Sequence, residues 1–336
     1  MCRAYPLRSS IPACALAFDS PCIHQSPRVH SMQLTRTEGF LSRRFQNCFS
    51  GPQTLTSGPD GKRRAKMRHM GVTALAYEGK NGGTLMTLIA SHRGGTHLWP
   101  ENTRLAFSET AKLDVDLVEF DVHQTRDNKL VIHHDALIDR MTDGKGAIAD
   151  FSYDELMRHI VIGSGGETIP TLAQTIDIFG PSAVDLRLEI KARPDGKPYE
   201  GMEGRIADEL LATDMLQRTM VTSFALPRLE VFSVALEERG LNAGELLGLI
   251  FLCSPLMVAQ IGWRGVIAAL GRFGVREIAL RAESIDAEVT EFFRKNGVTV
   301  HGWAAHTSEA AKAMFRLGVA SFTTDRPDLA IAAKRG

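Results

Sequence analysis

The chain has 336 residues, of which 44% are apolar and 23% charged, so it holds enough material for one large hydrophobic core. Its formal net charge is zero, but residues 1–70 carry eleven Lys or Arg against three Asp or Glu, which leaves 28 against 36 in residues 71–336. A body with an acidic excess of eight lacks the basic face that nucleic-acid binding requires. No apolar stretch reaches the roughly 18 residues of a membrane-spanning helix. We therefore expect no nucleic-acid partner and no transmembrane segment.

Residues 1–80 do not have the pattern of a folded domain. They are rich in Ser, Pro, Arg and Gln, and they hold four of the five cysteines: Cys2, Cys14, Cys22 and Cys48. Because the rest of the chain offers only Cys253, a disulfide framework is not expected, and we predict a reduced, cytoplasmic protein. The segment is expected to be a disordered extension. It is either an organelle-targeting peptide or upstream sequence before a true start at Met70 or Met86.

From Thr84 onward, apolar strand candidates alternate with segments of helical pattern. The strand candidates are eight, at 85–91, 116–122, 185–191, 219–224, 246–252, 277–282, 298–303 and 320–325. The helical segments include 286–296 and 308–318, which begin with Asp286 and Ser308 as helix caps and end with Asn296-Gly297 and Gly318. Such alternation predicts a parallel sheet, and eight units in about 250 residues predict an α/β fold of the (β/α)8 TIM barrel type over residues 84–332. A doubly wound open sheet is the alternative, but it would not need eight units.

One connection is too long for a simple barrel. Nearly sixty residues separate the second and third strand candidates, and they include L-V-I-H-H-D at 130–135 and two helical segments at 152–159 and 171–179. The second of these segments is predicted to be the barrel helix. We predict that the remainder, about residues 124–170, is a small insertion over the barrel mouth.

Two strands carry acidic side chains on one face and apolar side chains on the other. Glu119 and Asp121 share a face of the second strand, and Glu189 and Lys191 share a face of the third. Three carboxylates from neighbouring strands predict a divalent cation site with Mg²⁺ or Ca²⁺. The alternatives are a solvated strand face or an internal salt bridge between Glu189 and Lys191.

Histidines follow two of the apolar runs. His92 and Arg93 lie where the first strand ends in a glycine-rich turn, and His134 ends the run 130–135. After the turn, Asn102 or Thr103 is expected to cap a helix. A lone histidine at a strand end is usually structural, but two beside a carboxylate cluster suit general acid and base catalysis. His133 is expected to point the other way.

In their order along the chain, these motifs resemble the glycerophosphodiester phosphodiesterase family. They are H-R-G at 92–94, P-E-N-T at 100–103, E-F-D at 119–121, H-D at 134–135, E-I-K at 189–191, Trp303 on a late strand, and T-D-R-P at 324–327. The resemblance covers about residues 84–332. It implies a (β/α)8 barrel, a divalent metal ion, and hydrolysis of a glycerophosphodiester to sn-glycerol 3-phosphate and an alcohol.

The resemblance also implies a role for each site residue. It implies His92 and His134 as general acid and base, and Glu119, Asp121 and Glu189 as metal ligands. The residues that it implies in substrate binding are Arg93, Lys191, Glu101 and Trp303. Glu101 has the alternative role of helix-start electrostatics.

The chain departs from the family after Trp303. A stretch Trp-Thr-Val-Asn is usual there, and Ala304, Ala305 and His306 replace its last three residues, which puts substrate preference in doubt. We expect His306 to be a surface histidine, with a substrate contact as the alternative. Asp325 is expected to hold the last barrel turn rather than to take part in catalysis.

Two other functions remain as alternatives. A phospholipase D-like activity on lysophospholipids would use the same residues together with an apolar groove around Leu98, Trp99 and Trp303. A non-catalytic binding protein would have lost at least one of the two histidines or three carboxylates, and all five are present.

Overall fold

The computed structural model describes residues 86–335, so the predictions for residues 1–80 lie outside the described part. The strands of that part are β1 Leu88–His92, β2 Leu117–Gln124, β3 Leu130–Ile132, β4 Asp185–Ile190, β5 Thr219–Ser223, β6 Gly248–Leu252, β7 Glu277–Arg281, β8 Thr299–Trp303 and β9 Ser321–Thr324. Its α-helices are α1 Arg104–Thr110, α2 Tyr153–Leu156, α3 Leu172–Phe179, α4 Met202–Ala212, α5 Leu226–Glu237, α6 Pro255–Arg272, α7 Ala287–Lys295, α8 Ser308–Leu317 and α9 Pro327–Arg335.

Eight of the strands form a closed parallel barrel. Their order is β1, β9, β8, β7, β6, β5, β4 and β2, and β1 also pairs with β2, which closes the ring. All eight predicted barrel strands are present, and the closure rules out an open sheet. The predicted (β/α)8 barrel is therefore confirmed.

The alternation along β2 explains how the barrel buries both apolar and charged groups. Val118, Phe120 and Val122 belong to the main hydrophobic core, where Phe120 packs edge-to-face on Phe107 of α1 with ring centroids 6.0 Å apart. Burying a side chain of this size stabilises the fold by about 1.5–3 kcal/mol. Since successive side chains of a strand point to opposite faces, Glu119 and Asp121 point into the barrel.

The helix starts follow the local chemistry of the sequence. Thr103 caps α1 by accepting a hydrogen bond from the backbone N–H of Ala106, and Asp286 caps α7 as predicted. The prediction of Ser308 as a cap was wrong by one residue. Thr307 has the extended backbone of a cap, and its hydroxyl accepts from the N–H of Ala310.

The segment between β2 and α3 builds a small unit with its own core. Strand β3 pairs antiparallel to β2, and it is followed by the single turn of α2. An apolar cluster holds the unit together through Val131, Ile138, Ile148, Leu156, Val161 and Ile169. This packing places His134, two residues after β3, beside the barrel strands. Among the helices of the described part, none has the length and apolar character needed to cross a bilayer.

Candidate active site

The strand register brings three carboxylates together inside the barrel. Asp121 of β2 lies opposite Glu189 of β4, and Glu119 of β2 lies opposite His92 of β1. One oxygen from each of Glu119, Asp121 and Glu189 lies within 4.8 Å of the others, and all three residues are buried. Such a cluster supplies the oxygen ligands that a hard divalent cation prefers.

The close approach of the carboxylates changes their pKa values. Burial, reinforced by the negative charges of Asp121 and Glu189, raises the pKa of Glu119 to about 7. The pKa of Glu189 is also raised, again by burial first and then by Asp121. Crowded buried carboxylates of this kind repel one another, and a dication would relieve that repulsion. The donor set therefore fits a divalent metal ion.

Lys191 shares this cluster. Its Nζ lies 2.8 Å from Glu189 Oε1 and 3.0 Å from Asp121 Oδ1. Burial acts to raise the pKa of Asp121, but the positive charges of Lys191 and Arg93 outweigh it and hold that pKa well below 3.8. The salt bridge that was an alternative to a metal site is thus present together with the carboxylate cluster.

The loop after β1 contacts the same carboxylates. The backbone N–H of Arg93 donates to Glu119 Oε2 at 3.2 Å, and its Nε lies 3.4 Å from Asp121 Oδ2. Asn102 donates from Nδ2 to Asp121 Oδ2 at 2.9 Å. Arg93 and Asn102 both have left-handed backbone conformations, with φ of 50° and 57°, which are uncommon outside glycine and occur in tightly held loops.

Glu101 binds guanidinium groups. Its carboxylate lies 3.2 Å from Arg93 Nη1 and 2.6 Å from Arg140 Nη2, and these contacts lower its pKa against the effect of burial. It lies outside the group of carboxylates that converge within 4.8 Å. In this structure Glu101 therefore positions Arg93 and joins the first loop to the insertion.

His92 is held by an aspartate from the other end of the chain. Its Nδ1 lies 2.5 Å from Asp325 Oδ1, and its Nε2 lies 3.8 Å from Glu119 Oε2. Burial lowers the pKa of a histidine, but here the charge of Glu119 and the hydrogen bond with Asp325 outweigh it, so the pKa of His92 lies above 6.5. From the sequence, Asp325 was expected only to hold the last barrel turn. The structure brings its carboxylate to His92, because β9 and β1 are neighbours.

His134 has an equivalent partner within the insertion. Its Nδ1 lies 2.6 Å from Asp135 Oδ1, and the other oxygen of Asp135 accepts from Arg140 Nε at 2.5 Å. Burial, with the positive charges of Lys191 and Arg93, lowers the pKa of His134 below 6.5. His133 is buried with Nδ1 2.8 Å from the carbonyl oxygen of Asp135, away from this group.

The two histidines open onto one cavity of about 250 Å³ at the carboxyl ends of the strands. Arg93, Glu119 and Glu189 line one part of it with the histidines. The other part is lined by Thr222, Phe224, Leu252, Trp303, Ala304, His306 and Thr323. Trp303 and His306 thus both face the cavity, so His306 is not simply a surface residue. Arg187 also lines it, and donates to Ser321 Oγ at 3.0 Å.

The model of the glycerophosphoryl diester phosphodiesterase family matches residues 92–329, which span this whole site. The chain belongs to this family. A glycerophosphodiester phosphodiesterase of Caldanaerobacter subterraneus subsp. tengcongensis is 29% identical over 253 residues, which cover 74% of this chain and 97% of that protein. A relative from Bacillus altitudinis with the same name is 27% identical over 252 residues, or 73% of this chain and 97% of its own.

Solved structures of family members have the same fold. One from Agrobacterium tumefaciens, assigned as a glycerophosphoryl diester phosphodiesterase, has a TM-score of 0.70 at 34% identity and covers 74% of this chain and 98% of its own. A phosphodiesterase of Oleispira antarctica, solved with the product sn-glycerol-3-phosphate, has a TM-score of 0.61 at 23% identity over 75% of this chain and 98% of its own. At that identity the likeness to the second protein concerns the fold alone.

Sequence reasoning missed the residues that hold the site residues in place. Asp135 and Arg140 support His134, Asn102 supports Asp121, and Asp325 supports His92. Asp135 had a local signal, because it directly follows His134. The others are joined only through the folded barrel.

Proposed function

We propose that this chain hydrolyses glycerophosphodiesters to sn-glycerol 3-phosphate and an alcohol, with His92 and His134 as general acid and base. The observation that carries the proposal is the pairing of each histidine with an aspartate, in a cavity that two carboxylates of the cluster also line. The His92–Asp325 distance is 2.5 Å and the His134–Asp135 distance is 2.6 Å. The family membership supplies the reaction class.

The histidine pairs support the proposed proton transfers. When Nδ1–H donates to a carboxylate, the ring nitrogen left for chemistry is Nε2, and the carboxylate stabilises the imidazolium that forms when Nε2 takes a proton. One histidine removes the proton from the attacking oxygen, and the other donates a proton to the leaving alkoxide. Both side chains line the cavity in which the phosphodiester would bind.

Glu119, Asp121 and Glu189 would hold a divalent ion, which we propose to be Mg²⁺ or Ca²⁺. The chemistry that such an ion supplies is charge neutralisation and polarisation of a phosphoryl oxygen. Arg93 lines the cavity, where it would add a fixed positive charge facing the phosphate. Lys191 pairs with Asp121 and Glu189, so its positive charge would act on the substrate less directly than that of Arg93.

The lysophospholipid alternative receives less support from the predicted groove residues. Neither Leu98 nor Trp99 is among the described residues that line the cavity, and the ring of Trp99 lies against Gly95. Trp303 faces the cavity without those two neighbours. We therefore place water-soluble glycerophosphodiesters first.

We also propose a partner and a cellular location for the protein. The partner is the small-molecule substrate, and the acidic excess of residues 71–336 argues against nucleic acid. A cytoplasmic location stays a prediction from the cysteine usage, which fractionation of the source cells would test.

The test is turnover by the purified full chain on glycerophosphocholine, glycerophosphoethanolamine, glycerophosphoglycerol and lysophosphatidylcholine, with Mg²⁺ and Ca²⁺ in turn. We expect sn-glycerol 3-phosphate from at least one of the three glycerophosphodiesters, and little choline and lysophosphatidate from lysophosphatidylcholine. Turnover of lysophosphatidylcholine alone would favour the alternative. Inactivity on all four with either ion would overturn the proposed reaction.

A further inference from the structure

The part of the cavity lined by Trp303 and Phe224 is where the alcohol of the substrate would lie, and these two aromatic rings form its wall. Trp303 and Phe224 pack edge-to-face with ring centroids 6.0 Å apart. Phe224 is 46% exposed, so the pair forms an open surface at the cavity mouth. Open aromatic faces often bind quaternary ammonium groups such as choline.

Here the indole ring already has a cationic neighbour. The guanidinium carbon of Arg281 lies over the Trp303 ring, 5.8 Å from its centroid. Strand pairing sets this contact, because Arg281 ends β7 directly opposite Trp303 at the end of β8. The Nε of Arg281 lies 3.2 Å from Glu283, whose side chain is 75% exposed, so water screens that ion pair strongly. An incoming ammonium group would meet a positive charge on the ring.

The cavity also lacks a carboxylate for a cationic alcohol. Among the described residues that line it, the carboxylates are Glu119 and Glu189, and both belong to the candidate metal site. The other lining residues include Thr222, Leu252, His306 and Thr323, which carry no negative charge. Arg281 is not among the lining residues, but its charge lies over the Trp303 ring, and the carboxylate beside it, Glu283, is largely exposed and screened by water. A cationic headgroup on this ring would therefore be disfavoured.

His306 offers a hydrogen-bond donor on the same wall. Its Nδ1 accepts the backbone N–H of Asp325 at 3.0 Å, which leaves the ring proton of the neutral imidazole on Nε2. Burial, with further effects of the charges of His92, His97 and Arg281, lowers the pKa of His306, so the neutral form with this tautomer prevails near neutral pH. A neutral N–H donor suits hydroxyl or anionic groups.

Resting on the proposed function, we propose that this wall is a specificity site for the alcohol, which selects glycerophosphodiesters with neutral or anionic alcohols and disfavours those with a quaternary ammonium. Arg281 is the specificity-determining residue, and His306 is the donor to the alcohol. Arg281 lies outside the group of side chains proposed for the chemical step.

The test compares kcat/KM for glycerophosphoglycerol with kcat/KM for glycerophosphocholine in the full chain with its metal ion. The wild type is expected to favour glycerophosphoglycerol by about two- to fivefold, the size of one exposed cation–aromatic or charge contact. Arg281→Ala should bring the ratio close to one, and Arg281→Glu should invert it. The matched control is Arg294→Ala, which removes an arginine from an exposed ion pair with Glu291 on α7, far from an aromatic wall, and should leave the ratio unchanged.

The outcomes separate the two proposals. Hydrolysis of both substrates with equal efficiency, or a preference for glycerophosphocholine, would overturn the specificity site and leave the hydrolysis intact. An equal loss on both substrates in Arg281→Ala would show a structural role only, and would also overturn it. Hydrolysis of neither substrate by the wild type would overturn the proposed function itself.

Discussion

Asp325 Oδ1 lies 2.5 Å from His92 Nδ1, although 233 residues separate the two along the chain. They meet because β9 and β1 are adjacent parallel strands, paired from Leu88 and Ser321 to Ser91 and Thr324. Each residue directly follows or ends its strand, so the barrel itself sets their separation. The pairing fixes both the orientation of the imidazole and the nitrogen that carries its proton.

Asp325→Asn should lower kcat by at least about tenfold with a small change in KM, since an amide can stabilise neither the Nδ1–H tautomer nor the imidazolium. Replacing the corresponding aspartate of a serine protease by asparagine lowers kcat about 10⁴-fold, which sets the upper limit of the expected loss. Steady-state kinetics measure the effect, with circular dichroism to check the fold. The control is Asp328→Asn on α9, whose carboxylate pairs with Arg326. Equal activity of the two variants would show that Asp325 only holds the loop.

His92→Ala and His134→Ala should each lower turnover by roughly 10²–10⁴-fold, the usual range for loss of a positioned acid or base. Both side chains are partly exposed at the cavity, at 23% and 31%, so the thermal unfolding midpoint should change little. Single-turnover rates would measure the chemical step directly. A variant with near-normal turnover would rule out the two-histidine mechanism.

Removal of divalent ions with a chelator should abolish activity, and added Mg²⁺ or Ca²⁺ should restore it. Asp121→Asn should weaken metal binding, because it removes one of three converging carboxylates, so its activity should recover in part at high metal concentration. Titration calorimetry would measure the affinity. The histidine variants should show no such recovery, which separates the two classes. Wild-type activity that survives chelation would make the carboxylates structural.

A chain that begins at Met70 should fold and turn over substrate as well as the full chain. Every barrel strand lies at or beyond Leu88, and the first 80 residues lack the apolar pattern that would offset the entropy cost of their ordering. Thermal unfolding and kcat/KM of the two chains provide the comparison. A large loss of either on truncation would show that the removed residues contribute to the barrel.

His301 should make the stability depend on pH below about 6.5. It is fully buried, with Nδ1 2.7 Å from Ser321 Oγ and Nε2 3.1 Å from Glu277, and burial outweighs Glu277 to lower its pKa from 6.5. The unfolded chain then binds more protons than the folded one as pH falls through 6.5, so the free energy of unfolding should decrease in acid by up to about 1.4 kcal/mol per pH unit.

Urea unfolding at pH 7.5 and 5.5 would measure this pH dependence of the free energy of unfolding. His301→Gln should be less stable than the wild type at pH 7.5, because it disturbs a buried hydrogen-bonded group, but should lose less stability between the two pH values. An identical pH dependence in both proteins would show that another group is responsible.

The barrel could be predicted from sequence because each strand carries its own local signal. Glu119 and Asp121 alternate with apolar residues within β2, so the inward face of this strand could be predicted from the six residues 117–122. Asp325 had no such signal, since its contact with His92 depends on which strands close the ring. The contact of Arg281 with Trp303 could not be predicted either, because it depends on the register of β7 and β8. Periodicity reports on single strands, whereas contacts across the ring depend on the whole fold.

The closure of the ring between β1 and β9 has a consequence for biosynthesis. His92 leaves the ribosome early, and its partner Asp325 emerges only when nearly all of the described chain has been made. A nascent or C-terminally clipped chain that lacks β9 has an open edge at β1 and an unpaired imidazole. We therefore expect little activity before the last strand docks, so that activity reports an intact carboxyl-terminal part of the barrel.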